Sequence, residues 1–215
     1  MAIDDTGLWC ELGKADRLLR PALFLDRDGV IVADTNYLGR AEDVRMIEGV
    51  AAAISRCNAL RIPVVVATNQ SGIARGHYDW DGFRDVQAAI SAALAACGAH
   101  LDGVLACAYH AAGVGPLQFA DHPWRKPNPG MILAAGGGMN LDLSRSWIVG
   151  DKASDLAAGA AAGLAGGTLV TADRRERERA LLLASMRFAV EMAANPSVAI
   201  DNVIKAGRLA QPVRS

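Results

Sequence analysis

The sequence is poor in cysteine and has no long hydrophobic run, and both shortages exclude classes of protein. Four cysteines scattered along 215 residues do not make the dense disulfide framework of a small secreted domain. Every apolar run falls short of the roughly 20 residues that a membrane-spanning helix needs. The N-terminus carries Asp4, Asp5 and Glu11 in place of the basic and apolar segments of a signal peptide. We therefore expect a cytoplasmic protein with no membrane partner.

The chain also lacks an excess of charge of either sign. Its 22 lysines and arginines are balanced by 23 aspartates and glutamates, which gives a formal net charge of -1. Proteins that bind nucleic acid normally carry a basic surface, so we expect no nucleic acid partner and only local recognition of phosphate. The 52% of hydrophobic residues is enough for one sizeable core. We predict one domain over residues 1–215, with residues 1–20 as an N-terminal extension and a monomer as the default state.

Short β-rich runs alternate with alanine-rich helical stretches along the chain. Predicted strands lie at 22–26, 62–69, 103–109, 146–151 and 167–172, and the run at 186–192 is a candidate edge strand. Predicted helices lie near 48–60, 81–97, 129–138, 154–163 and 196–208. Nearly continuous apolar strands separated by helices are typical of a parallel sheet that is covered on both faces. The predicted fold class is therefore α/β, a doubly wound, Rossmann-like parallel sheet with helices on both faces.

Two stretches without clear periodicity, residues 31–46 and 110–124, are predicted loops. In an open α/β sheet, ligands bind at the carboxyl ends of the strands, where such loops lie. We therefore expect both loops to border the functional site.

The stretch LFLDRDGVI, residues 23–31, places Asp26 and Asp28 where the first predicted strand ends. Gly29 permits the sharp departure of the chain that leaves both carboxylates near a pocket. An unperturbed aspartate has a pKa of about 3.9, so we expect both side chains to be charged at neutral pH unless one pKa is shifted. Two anions this close to each other require a cation.

Three further strand ends and loops carry polar residues. After the second strand, TNQSGIARG offers the Thr68 hydroxyl and a turn from Asn69 onwards whose backbone N–H groups can cradle an anion. RKPNPGM places Arg125 and Lys126, which suit phosphate oxygens, ahead of a helix that begins near a proline. GDKASDL supplies a third carboxylate at Asp151.

Together these side chains suit phosphoryl transfer. Carboxylates bind a hard divalent cation such as Mg²⁺, which also coordinates phosphate oxygens. One aspartate can attack phosphorus and form an aspartyl-phosphate, while a second protonates the leaving alcohol and then activates water. Thr68, Lys126 and the metal would neutralise the phosphoryl oxygens. The sequence thus indicates a Mg²⁺-dependent phosphatase that acts on a small phosphate ester.

At these residues the chain resembles the haloacid dehalogenase (HAD) superfamily of phosphohydrolases. DRDGV, Thr68, Lys126 and GDKASD match the four motifs of the superfamily in order. FLDRDGVI, TNQSGIARG, RKPNPGM and GDKASDL are further similar to the branch that contains D-glycero-D-manno-heptose-1,7-bisphosphate 7-phosphatases and histidinol-phosphate phosphatases. The resemblance runs from residue 22 to residue 172. It implies a small sugar phosphate as substrate and a fold without a cap domain.

The resemblance also implies roles for individual residues. Asp26 corresponds to the nucleophile and Asp28 to the general acid/base. Mg²⁺ would be bound by Asp26, by the backbone carbonyl of Asp28 and by Asp151, with Asp155 close to the metal. The substrate and its phosphate would be bound by Thr68, Asn69, Arg125, Lys126 and Lys152.

One part of the chain departs from that branch. Its members commonly hold a structural zinc with a Cys-x-His pair and a Cys-x-Cys pair just before the Arg-Lys-Pro motif. This chain reads CAYH at the first pair and HPW at the second. Cys107, His110 and His122 form a degenerate ligand set, with Asp121 as a fourth candidate, but their spacing is wrong for the usual tetrahedral site. The sequence therefore disfavours a structural zinc.

Other functions stay open at this stage. Histidinol phosphate or another small phosphate ester would use the same phosphate-binding groups. A receiver-type signalling module also accepts a phosphoryl group on an aspartate, but it is much shorter and places its acids on different strands. A catalytically silent phosphate-binding protein would lack at least one of the residues needed for catalysis, whereas this chain has a suitable residue at every such position.

Overall fold

A seven-stranded sheet forms the centre of the computed structural model, which describes residues 6–210. Residues 1–5, on which part of the targeting prediction depends, and residues 211–215 lie outside the described residues. The strands are β1 Leu8–Leu12, β2 Leu23–Leu25, β3 Val64–Asn69, β4 Gly103–Cys107, β5 Trp147–Gly150, β6 Gly166–Leu169 and β7 Ala189–Met192. The helices are α1 Val50–Ala59, α2 Ser71–Ala74, α3 Trp80–Ala95, α4 Gly130–Met139, α5 Ala153–Ala161, α6 Arg174–Leu181 and α7 Pro196–Lys205. Short 3-10 helices lie at Ala41–Asp43, Gly115–Leu117 and Leu143–Arg145.

Strand β2 lies at the centre of the sheet, between β3 and β5. The order across the sheet is β1-β4-β3-β2-β5-β6-β7. Neighbouring strands are parallel, except that β1 runs antiparallel to β4. The chain moves outwards from β2 in both directions, which opens a crevice at the carboxyl ends of β2 and β5. The predicted α/β fold is confirmed, and the candidate edge strand at 186–192 is present as β7.

Strand β1 lies within residues 1–20, where the sequence analysis predicts an extension and no strand. Leu8–Leu12 pairs with β4 along its whole length, from Leu8 opposite Cys107 to Leu12 opposite Gly103. The strand is short and its partner lies far along the chain, so no local pattern marks it. Residues 8–12 therefore belong to the sheet.

Both faces of the sheet are buried, which explains why its strands read as continuous apolar runs. Leu23 and Leu25 belong to the core cluster covered by α1, α3 and α7, whereas Phe24 belongs to the cluster on the other face, with α4 and α5. Adjacent side chains of a strand point to opposite faces, so each cluster takes alternate residues of β2. The strand ends are thus held between two layers of helices. Among residues 6–210, no helix combines the length and the apolar character needed to cross a bilayer.

Candidate active site

The carboxyl ends of β2, β3 and β5 surround a polar cavity of about 200 Å³. Asp26 directly follows β2, Asn69 ends β3, and Asp151 directly follows β5. Lys126 reaches the same place from the segment before α4, where its Nζ contacts Asp26. The four sequence motifs therefore meet at the edge of the sheet where the topology predicts a ligand. The cavity is lined by Asp26, Asp28, Asp34, Asn36, Tyr37, Leu38, Asn69, Gln70, Ser71, Gly72, Tyr78, Lys126, Lys152, Ser154 and Asp155.

Three carboxylates come together at this site. Asp26, Asp151 and Asp155 each present an oxygen, and these oxygens lie within 4.8 Å of one another. Asp155 lies in the first turn of α5, where its Oδ2 accepts the backbone N–H of Lys152 at 3.0 Å. Three anions in so small a volume repel one another unless cations lie close to them.

Lys126 supplies one such cation. Its Nζ donates to Asp26 Oδ1 at 2.8 Å and to the carbonyl of Ala67 at 2.7 Å, and it lies 2.6 Å from Asp155 Oδ1. Burial alone would lower the pKa of this lysine, but Asp155 and Asp26 outweigh that effect and raise the pKa above its usual value. The buried ammonium is therefore charged at neutral pH.

Asp151 has no cation at hydrogen-bond distance among the residues that the structure describes. Its Oδ1 is buried and has no hydrogen-bond partner among residues 6–210, and Lys152 Nζ is 3.7 Å from its Oδ2. Burial, together with the charges of Asp26 and Asp155, raises the pKa of Asp151 to about 7. A buried, unsatisfied carboxylate oxygen beside two other carboxylates fits a hard divalent cation such as Mg²⁺.

The side chain of Asp28 is held apart from this carboxylate cluster. Its oxygens accept from Arg27 Nη2 at 3.0 and 3.1 Å and from Gln70 Nε2 at 2.8 Å. Burial raises the pKa of Asp28, and the Arg27 guanidinium opposes that shift. The carboxylate cluster is therefore formed by Asp26, Asp151 and Asp155, without the Asp28 side chain. The predicted metal contact of the Asp28 backbone carbonyl stays a prediction.

Arg27, Gln70 and Tyr78 form a network that the sequence analysis missed. Arg27 is fully buried, donates to Gln70 Oε1 at 2.9 Å and lies over the ring of Phe83. The Tyr78 hydroxyl donates to the same Gln70 oxygen, and Gln70 Nε2 donates to Thr68 Oγ1 at 2.9 Å. Arg27 and Gln70 belong to the motifs FLDRDGVI and TNQSGIARG, so the sequence could have indicated them as site residues. No motif in the sequence marks Tyr78.

The predicted substrate-binding residues on β3 and just before α5 differ in whether they face the cavity. Asn69 lines the cavity, but its side chain binds the backbone of Lys126: it accepts the N–H at 3.1 Å and donates to the carbonyl at 3.0 Å. Thr68 is buried and does not belong to the cavity lining. Lys152 lines the cavity, with its Nζ 3.5 Å from Asp34. Asn69 therefore positions Lys126, and Lys152 is exposed to a ligand.

The two loops contribute unequally to the cavity. Loop 31–46 supplies four lining residues, as predicted. Loop 110–124 supplies none, contrary to the prediction, because it folds back on itself beyond β4. Arg125, which follows that loop, donates to the carbonyl of Tyr109 at 3.0 Å and does not line the cavity either.

The degenerate zinc ligands do not assemble into a metal site. Cys107 Sγ lies 4.0 Å from His122 Nδ1, but this nitrogen already accepts the N–H of Trp124 at 3.1 Å. His110 Nδ1 accepts the N–H of Ala112 at 2.9 Å. Within the described part of the chain, the only group of three or more possible ligands close enough for one metal ion is the carboxylate cluster. The donor set at residues 107–124 therefore does not fit a structural zinc.

Comparison with known proteins places this geometry in a family. Residues 123–196 match the family described as HAD-hydrolase-like. A D-glycero-beta-D-manno-heptose-1,7-bisphosphate 7-phosphatase from Mesorhizobium japonicum is 50% identical over 170 residues, which cover 78% of this chain and 78% of the relative.

Solved structures agree with the sequence match. A protein from Mesorhizobium loti, described as a HAD-like phosphatase, superposes with a TM-score of 0.87 at 41% identity and covers 99% of both chains. A D,D-heptose 1,7-bisphosphate phosphatase from B. bronchiseptica, complexed with magnesium and phosphate, superposes with a TM-score of 0.73 at 28% identity, over 86% of this chain and 99% of that one. From the shared motifs, fold and sequence identity together, the chain belongs to the haloacid dehalogenase-like phosphatases.

Proposed function

We propose that this phosphatase is a Mg²⁺-dependent phosphomonoester hydrolase that acts on a small sugar phosphate through an aspartyl-phosphate. A heptose bisphosphate is the favoured substrate. One observation carries the proposal: the buried Asp26 carboxylate lies at the cavity, in contact with Lys126, and one of its oxygens lies within 4.8 Å of oxygens of Asp151 and Asp155. This arrangement supplies a nucleophile and the positive charge that phosphoryl transfer requires.

Asp26 is the proposed nucleophile. Its carboxylate forms a bond to phosphorus while the bond from phosphorus to the leaving alcohol oxygen breaks. Lys126 Nζ donates to Oδ1 of this carboxylate at 2.8 Å, which orients it towards the cavity and places a cation beside the phosphoryl oxygens. Asp155, 2.6 Å from the same Nζ, holds the lysine from the other side.

Asp28 is the proposed general acid/base. It lines the cavity two residues after the nucleophile, where it can give a proton to the leaving alcohol and later take one from the attacking water. Arg27 and Gln70 hold the carboxyl group between these steps. Water then attacks phosphorus, the bond from Asp26 to phosphorus breaks, and phosphate leaves.

Mg²⁺ would be held by the carboxylates of Asp26 and Asp151, together with the backbone carbonyl of Asp28. Two features of Asp151 support this assignment: its Oδ1 has no hydrogen-bond partner within residues 6–210, and its pKa is raised. When bound, the ion neutralises negative charge on the phosphoryl oxygens. Lys126 binds the transferring phosphoryl group, and the residues of the cavity rim bind and orient the rest of the substrate.

The favoured substrate class follows from the cavity and from the relatives. The cavity is small and polar, and its rim carries Asp34, Asn36, Tyr37 and Lys152, which can hydrogen-bond to hydroxyl groups. Related phosphatases are named for a heptose bisphosphate. We further propose that residues 1–215 act as a single domain in which loop 31–46 replaces a cap. Histidinol phosphate and other small phosphate esters are the alternative substrates.

A substrate panel tests the proposal. Phosphate release is measured with Mg²⁺ for both anomers of a heptose 1,7-bisphosphate, histidinol phosphate and common sugar phosphates, with wild type, Asp26→Asn and Asp28→Asn. We expect multiple turnover, highest on the heptose bisphosphate, and losses of at least about 1,000-fold in kcat for both variants. A single stable phosphorylation would indicate a receiver-type module instead. Equal activity of Asp26→Asn and wild type would overturn the assigned nucleophile.

A further inference from the structure

Three aromatic side chains pack together at the position where the resembling branch commonly holds a structural zinc. The His122 ring stacks on Tyr109, with centroids 4.2 Å apart and planes inclined by 16°. Phe119 meets Tyr109 edge-on at 6.0 Å and meets His122 edge-on at 5.3 Å. Stacked and edge-to-face arrangements are the attractive geometries of aromatic pairs. Tyr109, Phe119 and His122 are called the ring cluster below.

The ring cluster is attached to the sheet on one side. Tyr109 follows β4 by two residues, and the neighbouring Ala108 donates its N–H to the carbonyl of Gly7 at 2.9 Å. Gly7 lies so close to Tyr109 that a Cβ added there would come within 2.4 Å of the ring. Because Gly7 directly precedes β1, the edge strand and the ring cluster pack as one unit.

On its other side the ring cluster leads to the phosphate-binding segment. The N–H of Trp124 donates to His122 Nδ1 at 3.1 Å, and the N–H of Arg125 donates to the His122 carbonyl at 2.8 Å. Arg125 Nη1 donates a hydrogen bond to the Tyr109 carbonyl at 3.0 Å. Lys126, whose Nζ lies in the carboxylate cluster, is the next residue. A shift of the ring cluster would therefore be transmitted to the lysine through only a few bonds.

We propose that the ring cluster does the work of the absent zinc site: it fixes loop 110–124 without a metal, and its three members are positioning residues for Lys126. The positioning part rests on the proposed function of Lys126, whereas the metal-free anchoring of the loop does not. Two of the positions that the branch uses for zinc ligands hold Tyr109 and Trp124, which cannot replace a thiolate or an imidazole. Contacts among the half-buried Tyr109 and His122 rings and the exposed Phe119 ring supply the stabilisation that metal bonds supply elsewhere.

Metal content tests the first part. The full-length protein is produced in zinc-supplemented medium, its zinc is measured by elemental analysis, and its melting temperature is recorded with and without a strong zinc chelator. We expect fewer than about 0.1 zinc ions per chain and no change in melting temperature. One zinc per chain, removed by the chelator with a clear drop in melting temperature, would overturn the metal-free anchoring.

Two substitutions with opposite expectations test the positioning role. Cys107→Ala removes the strongest remaining zinc ligand, and Phe119→Ala removes a ring that no metal can use. The readout is the inhibition constant of inorganic phosphate, measured beside the melting temperature. We expect Cys107→Ala to leave this constant within about twofold of wild type, Phe119→Ala to raise it about tenfold, and Phe119→Tyr to restore it.

A control separates positioning from general loss of stability. Val203→Ala opens a gap in the buried face of α7. Val203 belongs to the larger core cluster, whereas Tyr109 and Trp124 pack against the other one, so this variant should lower the melting temperature without changing phosphate inhibition. If Phe119→Ala does not fold, the milder Phe119→Leu is measured in its place. A wild-type inhibition constant for phosphate in Phe119→Ala, or in Phe119→Leu if that variant replaces it, would overturn the positioning role. If wild type hydrolyses no ester, the proposed function fails, while zinc content and melting temperature still decide the anchoring.

Discussion

At the scale of single residues, Lys126 does not contact all three carboxylates of the cluster. Lys126 contacts Asp26 and Asp155, whereas Asp151 keeps a buried oxygen without a hydrogen-bond partner among residues 6–210. The pKa of Asp151 is raised from 3.8 to about 7. An acid whose pKa is raised by folding destabilises the folded state when it ionises. This penalty is absent below pH 3.8, grows as the pH rises, and is complete above about pH 7.

Removal of the Asp151 charge should therefore stabilise the metal-free protein. We expect Asp151→Asn, in the presence of a metal chelator, to melt about 2–8 °C above wild type at pH 8, from a gain of roughly 1–3 kcal/mol. The difference should shrink towards pH 4, where wild-type Asp151 is protonated. Calorimetry over this pH range makes the measurement, and added Mg²⁺ should raise the melting temperature of wild type alone. A variant that is less stable at pH 8 would show that the carboxylate has a stabilising partner.

Gly29 shows how one small residue shapes the same site. Its φ is +83°, and a Cβ at this position would lie 2.7 Å from Asp151 Oδ2. Gly29→Ala therefore combines backbone strain with displacement of a proposed metal ligand. We expect at least about a tenfold loss in kcat/KM and a loss of about 1–2 kcal/mol in unfolding free energy.

The matched control for this change is Gly163→Ala. Gly163 has nearly the same φ, +80°, but nothing lies within 4 Å of an added Cβ. This variant should lose a similar free energy of unfolding and keep its activity. Equal activity of the two variants, measured as phosphate release, would show that Asp151 tolerates the displacement.

At the scale of secondary structure, β1 is held by more than its pairing with β4. Trp9 packs against two rings of α3, at 5.9 Å from Trp80 and 5.3 Å from Phe83 between ring centroids. The strand thus closes one edge of the sheet and covers the outer part of the larger core cluster. An edge strand attached only by backbone hydrogen bonds would be far easier to detach.

We expect Trp9→Ala to lower the free energy of unfolding by about 3 kcal/mol, because it removes a large ring from this contact. Trp9→Phe keeps most of the ring contact and should cost about 1 kcal/mol. Leu182→Ala, at a side chain that is 85% exposed, is the surface control and should be neutral. Urea titration gives all three values. A neutral Trp9→Ala would mean that β1 contributes little to the stability of the sheet.

At the scale of the whole molecule, the reactivity of the cysteines shows whether a reagent can reach the core before the protein unfolds. Cys57 is fully buried in the larger core cluster, and burial raises the pKa of its thiol to about 12. Cys97 is exposed. Because the thiolate is the reactive form, a buried thiol with a raised pKa reacts slowly.

Alkylation with iodoacetamide at pH 8, followed by mass spectrometry, should therefore label Cys97 in the folded protein and leave Cys57 unmodified. We expect Cys57 to react only at denaturant concentrations that unfold the whole molecule, at the midpoint seen by circular dichroism. Labelling of Cys57 well before that midpoint would show that α1 opens separately from the sheet.

The sequence by itself determined the sheet class and the chemical groups of the site. Continuous apolar strands are a local property, so β2, β3 and β5 were visible without their partners. Asp26, Asp151 and Lys126 could be predicted for a similar reason. Each stands next to a predicted element, and parallel topology forces the carboxyl ends of neighbouring strands to one edge.

Only the tertiary structure decided which groups touch. It turned Asp28 towards Arg27 and Gln70, and it brought Asp155 to Lys126 in the carboxylate cluster. It also added β1 to an edge whose pairing residues lie far away in the chain. Hydrogen bonds and ring contacts of this kind depend on distances of a few ångströms between remote segments. Sequence spacing does not encode such distances, because they arise only when the whole core packs.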